Sequence, residues 1–126
     1  MKAVLDTSVL IAVGTPELEG DLAISAASLA ELQFGVLVTF DATIRAERLR
    51  RLSEVQRRFD ALPIDESVAV SYGQLAAAIA HAGRQPRSRV MDLLIAATAH
   101  ANAARLYTRN PADLSGLEGL VEIVAV

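Results

Sequence analysis

Apolar residues along this chain fall into short uninterrupted runs separated by longer stretches of helical spacing. The short runs, Lys2–Leu5, Leu22–Ile24, Ala61–Ile64, Arg105–Tyr107 and Leu120–Ala125, are each bounded by Asp, Ser, Pro, Asn or Gly, as buried strands are. Between them the pattern predicts helices near Val9–Val13, Ala26–Phe40, Thr43–Asp60, Ser67–Ala82 and Val90–Ala104. Strands alternating with helices of this length predict an α/β fold, a three-layer α/β/α sandwich around a central, mainly parallel five-stranded sheet. Helix starts are signalled at Thr7 or Ser8, at Ser25, and at Asn110 before Pro111. Arg45–Phe59 is the clearly amphipathic segment, with Leu49, Leu52, Val55 and Phe59 as its apolar stripe, whereas Val90–Ala104 is apolar nearly all round and therefore central.

With 126 residues there is room for one hydrophobic core, so a single domain over 1–126 is expected. Hydrophobic residues make up 52% and the mean hydropathy is +0.35, too apolar for a disordered tail and too interrupted for a membrane span. No signal-peptide pattern precedes the first strand, and a cytoplasmic location is the default expectation. The net charge of −3 excludes a globally basic nucleic-acid binder but leaves room for a local basic strip. There are no cysteines and only two histidines, His81 and His100, which removes thiol chemistry and leaves a metal site only oxygen ligands. Both histidines fit ordinary helix-surface or packing roles.

Three acids stand alone in apolar company. Asp6 is the only ionisable residue between Ala3 and Gly14, Glu31 between Leu22 and Phe40, and Asp92 is the only acid between Val90 and Ala104. A buried lone carboxylate costs several kcal/mol unless it is hydrogen-bonded, protonated or coordinating a cation (of order 2–7 kcal/mol even for a neutral polar group). Asp6 follows the first strand and so emerges at its carboxyl end, where open α/β sheets bind ligands. Asp92 shares a helix face with Ala96, Ala99 and Ala103 and points inward, and Glu31 is long enough to reach back to the same end. Asp113, beyond the strand Arg105–Tyr107, either completes a capping box with Asn110 or joins the other acids. Converging carboxylates without Cys or His suit Mg²⁺ or Mn²⁺ and metal-assisted phosphodiester hydrolysis.

Four segments resemble a known family: Leu5-Asp6-Thr7-Ser8-Val9-Leu10-Ile11, Ser28-Leu29-Ala30-Glu31-Leu32 with Gly35, Asp92-Leu93-Leu94-Ile95-Ala96-Ala97-Thr98-Ala99, and Thr108-Arg109-Asn110-Pro111-Ala112-Asp113. In this order they resemble the PIN-domain ribonucleases of the VapC toxin type, over essentially the whole chain. The resemblance implies a Mg²⁺- or Mn²⁺-dependent endoribonuclease, silenced by a cognate VapB antitoxin. It implies Asp6, Glu31, Asp92 and Asp113 as catalytic metal ligands, supported through hydrogen bonds by Thr7, Ser8, Thr108 and Asn110. Two departures stand out: Leu114 where an aromatic is frequent, and a short Asp6-to-Glu31 separation, which implies a trimmed first helix and lid.

Of the 12 basic residues only Lys2 is a lysine, and arginine suits bidentate phosphate contact. Arg84, Arg87 and Arg89 immediately precede Asp92 and are the candidates for holding an RNA backbone. The arginines of Arg45–Phe59 also read as the solvated face of that helix. The high apolar fraction suggests covered surface, met by a homodimer and by an antitoxin segment in an apolar groove beside the acids. The competing class is a non-catalytic PIN-like RNA- or protein-binding module; loss of an acid would favour it, and none is missing. Dinucleotide and P-loop readings lack their glycine signatures.

Overall fold

The computed structural model describes residues 1–14 and 16–126. Its strands are β1 (Lys2–Leu5), β2 (Asp21–Ser25), β3 (Asp60–Leu62), β4 (Arg105–Thr108) and β5 (Ile123–Ala125). They form one sheet in the order β3-β2-β1-β4-β5, and every neighbouring pair is parallel. The helices are α1 (Thr7–Leu10), α2 (Ala26–Val38), α3 (Ala42–Arg58), α4 (Glu66–His81) and α5 (Val90–Ala101).

The period-two alternation of the central strands divides the interior into two halves. Val4 and Leu106 face one way, into a core with Leu75 and Ile79 of α4 and Leu93, Ile95 and Ala96 of α5. Ala3, Leu5, Ile24 and Tyr107 face the other way, against Val9 and Leu10 of α1 and Val55 of α3. This is the expected three-layer sandwich. From β1 the chain moves outward to β2 and β3, then returns across the sheet to place β4 on the other side of β1. The strand order therefore reverses between β1 and β4, and the crevice at their carboxyl ends is the topological switch point where such sheets bind ligands.

Local chemistry explains where elements stop and start. Pro63 cannot continue the ladder, so β3 ends at Leu62, short of the expected Ile64. Ser25 caps α2 as expected, accepting from Ala27 N at 3.1 Å, and bonds Thr98 of α5 at 2.9 Å. Asp41 and Asp65 cap α3 and α4, two starts that the sequence reading did not single out.

Three expectations are corrected. Thr7 and Ser8 are not caps: α1 begins at Thr7 after Asp6, and both hydroxyls are used elsewhere. Ala103 does not extend the inward face of α5; the helix ends at Ala101, and Ala103 is exposed in the left-handed region at φ 51°. Leu49 is 51% exposed, while Leu52 and Val55 are buried, because only the C-terminal half of α3 packs on the domain. The N-terminal half projects with the end of α2 as a hairpin carrying exposed Phe34, Leu37 and Phe40.

Candidate acidic active site

Asp6 leaves the end of β1 with its backbone N–H bonded to the Tyr107 carbonyl at 2.9 Å, which locks its position to β4 at the switch point. Its side chain is nearly buried, and two hydroxyls converge on one carboxylate oxygen: Ser8 donates to Oδ2 at 2.6 Å and Thr108 donates to the same atom at 2.9 Å. Each hydroxyl is oriented by a backbone donor behind it. Arg109 N–H points at the Ser8 oxygen at 3.1 Å, and Asn110 N–H at the Thr108 oxygen at 3.0 Å. The protons of both hydroxyls are thereby directed at Asp6, fixing its rotamer. Both hydroxyls sit on Oδ2, so Oδ1 is the oxygen left to face the crevice.

Glu31 is held by a parallel device. Thr7 Oγ1 lies 2.7 Å from Glu31 Oε1 and 3.0 Å from Ser28 Oγ. Thr7 has one hydroxyl proton, which it donates to the carboxylate at the shorter distance, with the oxygen of the fully buried Ser28 as the alternative acceptor behind it. Glu31 and Ser28 share a face of α2 one turn apart, and Thr7 meets them from the first position of α1.

Asp92 lies in the first turn of α5, where the helix N-terminus favours a negative charge. Its carboxyl is nevertheless pushed above its ordinary range, first by burial and then by the charges of Asp6, Asp113 and Glu31, against the opposing pull of Arg89. Asp6, Asp113 and Glu31 thus act on Asp92 across one end of the sheet. Among the described residues they do not close into a cluster in which three carboxylates could hold one ion. Arg89, ending a short 3-10 turn at Pro86–Arg89, lies between two of them: its Nη1 is 3.1 Å from Asp113 Oδ1 and 3.7 Å from Asp92 Oδ2.

Asp113 sits in a 3-10 turn, Pro111–Leu114, and Asn110 makes no side-chain capping bond to it. The capping alternative is therefore set aside in favour of the ion pair with Arg89. Asn110 supports the site through its backbone N–H, its side chain being exposed. Arg84 and Arg87 are exposed on the loop that leads to the site. His100 has the packing role expected of it, with Nδ1 2.7 Å from Ser71 Oγ.

The residues that sequence reasoning missed are Ser28, Arg109 and the α3 arginines as clamps. Ser28 stood inside a quoted motif, but nothing marked its hydroxyl as the partner of Thr7. Arg48 donates to Gly35 O at 2.7 Å, and Arg45 donates to Thr39 O at 2.6 Å, so both bind carbonyls at the end of α2. Arg51 donates to Leu10 O at 3.0 Å. These bonds fasten α3 to α1 and α2 and frame a groove of about 1700 Å³. Leu10, Leu32, Ile44, Val55 and Phe59 line it, with Thr7 and Glu31 at the end that meets the acids.

This donor set fits a hard divalent cation. It is all carboxylate and hydroxyl oxygen, with Asp6 and Glu31 held by donors and Asp92 under neighbouring acidic charge that Arg89 only partly offsets.

The sequence profile of the PIN domain matches residues 3–115. The chain is 37% identical to Ribonuclease VapC5 of Mycobacterium tuberculosis over 98% of this chain and 94% of that protein. The crystal structure of VapBC-5 from Mycobacterium tuberculosis, a member of the VapBC family of toxin-antitoxin systems, superposes with a TM-score of 0.87 at 38% identity, covering 99% of this chain and 98% of that one. FitAcB from Neisseria gonorrhoeae superposes with a TM-score of 0.78 at 26% identity, covering 96% and 95%.

Proposed function

The chain belongs to the PIN-domain family, and on that basis we propose that it is a Mg²⁺- or Mn²⁺-dependent endoribonuclease and the toxin of a type II toxin–antitoxin pair. The observation that carries this reading is the placement of Asp6, Glu31, Asp92 and Asp113 at the β1/β4 switch point, two of them held by oriented hydroxyls. These four carboxylates are the proposed metal ligands. A divalent ion held by them would supply an activated water and positive charge to offset the phosphate oxygens.

The chain's own residues do the positioning. Ser8 and Thr108 hold Asp6 in one rotamer with Oδ1 presented, and Thr7, placed against Ser28, donates to Glu31. The backbone N–H groups of Arg109 and Asn110 keep those hydroxyls aimed. Arg84, Arg87 and Arg89 are the proposed contacts to the RNA backbone, where guanidinium groups match phosphate.

The groove beside Glu31 supports a partner segment. Apolar Leu10, Leu32, Val55 and Phe59 line it together with Arg51, Arg57 and Arg58. A VapB-type antitoxin peptide lying there would cover apolar surface and reach the acids, in line with the VapBC complex that the fold resembles. The exposed apolar hairpin of α2 and α3 suits a homodimer. No helix among the described residues is long and apolar enough to cross a membrane, and the proposed setting is the cytoplasm.

The test is cleavage of total cellular RNA by the purified chain with Mg²⁺, Mn²⁺ or EDTA, alongside Asp6→Asn and Asp92→Asn. Discrete metal-dependent fragments that vanish in both variants are expected. Intact RNA under every condition, together with no Mn²⁺ binding by the folded protein, overturns the reading.

A further inference from the structure

Arg89 is the cation that pairs with the acids, although its side chain is partly exposed to solvent. One guanidinium nitrogen lies within ion-pair reach of carboxylates from two separate elements, Asp113 beyond β4 and Asp92 at the start of α5. Among the described residues, both ion pairs at this end of the sheet belong to Arg89. The acids it bridges carry charge that Asp6 and Glu31 reinforce. Guanidinium cannot lose its proton in this pH range, so the positive charge leaves only if the side chain swings away. All three side chains are between a third and a half exposed, which makes that swing feasible.

We propose that Arg89 is an internal counter-cation of the acidic site, which a divalent ion must displace from Asp92 and Asp113 before both carboxylates can turn to it. This rests on the metal-site reading above. The one positive charge, shared between two carboxylates, offsets one of the four acids' charges while no ion is bound and sets a threshold for loading. Metal affinity is then a difference between two cations' claims on the same oxygens. The other arginines of the loop carry the same formal charge, but no ion pair joins either to these acids, so the effect belongs to Arg89 and not to the loop's general field.

Isothermal titration with Mn²⁺ alone, on the purified full-length chain, tests this with wild type, Arg89→Gln and Arg87→Gln. Arg89→Gln is expected to bind Mn²⁺ about three- to tenfold more tightly, as for the loss of a partly exposed competing pair, while Arg87→Gln stays within about twofold of wild type. In an Asp113→Asn background the Arg89→Gln gain is expected to shrink, because the nearer partner of the guanidinium is already gone. Unchanged or weaker Mn²⁺ binding by Arg89→Gln overturns the proposal, as does an equal gain in Arg87→Gln. No Mn²⁺ binding by any of the folded proteins overturns the metal-site reading itself, a result distinct from both. Arg89→Met, which keeps the aliphatic stem, serves as the second variant should the glutamine protein not fold.

Discussion

Thr108 and Asp6 are 102 residues apart in the chain and joined by a 2.9 Å hydrogen bond from hydroxyl to carboxylate. The bond spans the ends of two neighbouring strands, β4 and β1, that the parallel ladder brings side by side. Thr108 is fully buried and also accepts the Asn110 N–H, so one hydroxyl sets both the acid's rotamer and the path of the chain toward Asp113.

Replacing Thr108 by Val keeps the shape and deletes both bonds. An unfolding stability loss of about 1–3 kcal/mol is expected from denaturant titration, because a buried acceptor and a backbone donor lose their partner. Mn²⁺ affinity and RNA cleavage are expected to fall by about 10–100-fold, the usual cost of removing a group that orients a metal ligand. Wild-type Mn²⁺ affinity in Thr108→Val would show that Asp6 needs no such positioning.

Thr7→Val removes the only described donor to Glu31 and is expected to weaken Mn²⁺ binding by about tenfold or more. Ser28→Ala should act in the same direction but more weakly, since Ser28 reaches Glu31 only through Thr7. A larger effect from Ser28→Ala than from Thr7→Val would show that Ser28 acts on Glu31 by a route other than Thr7.

The carboxyl of Asp92 is raised above its ordinary value near 3.8 by burial and by the neighbouring acids. A carboxyl that holds its proton more tightly folded than unfolded costs stability once ionised. That cost is absent below the ordinary carboxylate range, grows as pH rises through it, and is full above the folded-state pKa. Asp92→Asn should therefore stabilise the metal-free chain at pH 7 and do little at pH 3. Water screens a half-buried group, so the expected gain is about 0.5 kcal/mol, or a Tm rise of about 2 °C. Thermal melts in EDTA at the two pH values check the sign, and a lower Tm at pH 7 would contradict it. With saturating Mn²⁺ the order should reverse, as wild type alone keeps the full ligand set.

Ala96 has no exposed surface where α5 lies against the sheet. Ala96→Leu forces extra methylenes into that contact and should cost about 1–3 kcal/mol in urea unfolding. A cost under about 0.5 kcal/mol would mean that the helix is free to lift from the strands.

Much of the fold was written in local patterns. Short apolar runs bounded by turn residues marked all five strands, and Val90–Ala104, apolar nearly all round, marked the central helix observed over Val90–Ala101. The lone acids were legible for the same reason, since a carboxylate in an apolar run is conspicuous. Leu49 misled because a helix stripe reports which face is apolar, not how far along its length the body of the protein extends. Ala103 misled because one residue in the left-handed region after Asn102 ends the helical spacing.

The sequence by itself determined the element order, the parallel sheet and the identity of the acids, because these depend on side-chain periodicity and on residues a few positions apart. Only the tertiary structure decided what each acid touches. Whether Asp113 caps its own turn or meets Arg89, and whether Thr7 caps α1 or holds Glu31, turns on groups more than twenty residues apart in the chain. A hydroxyl or a guanidinium can satisfy several acceptors equally well, and the packing of the helices on the sheet selects the one within reach.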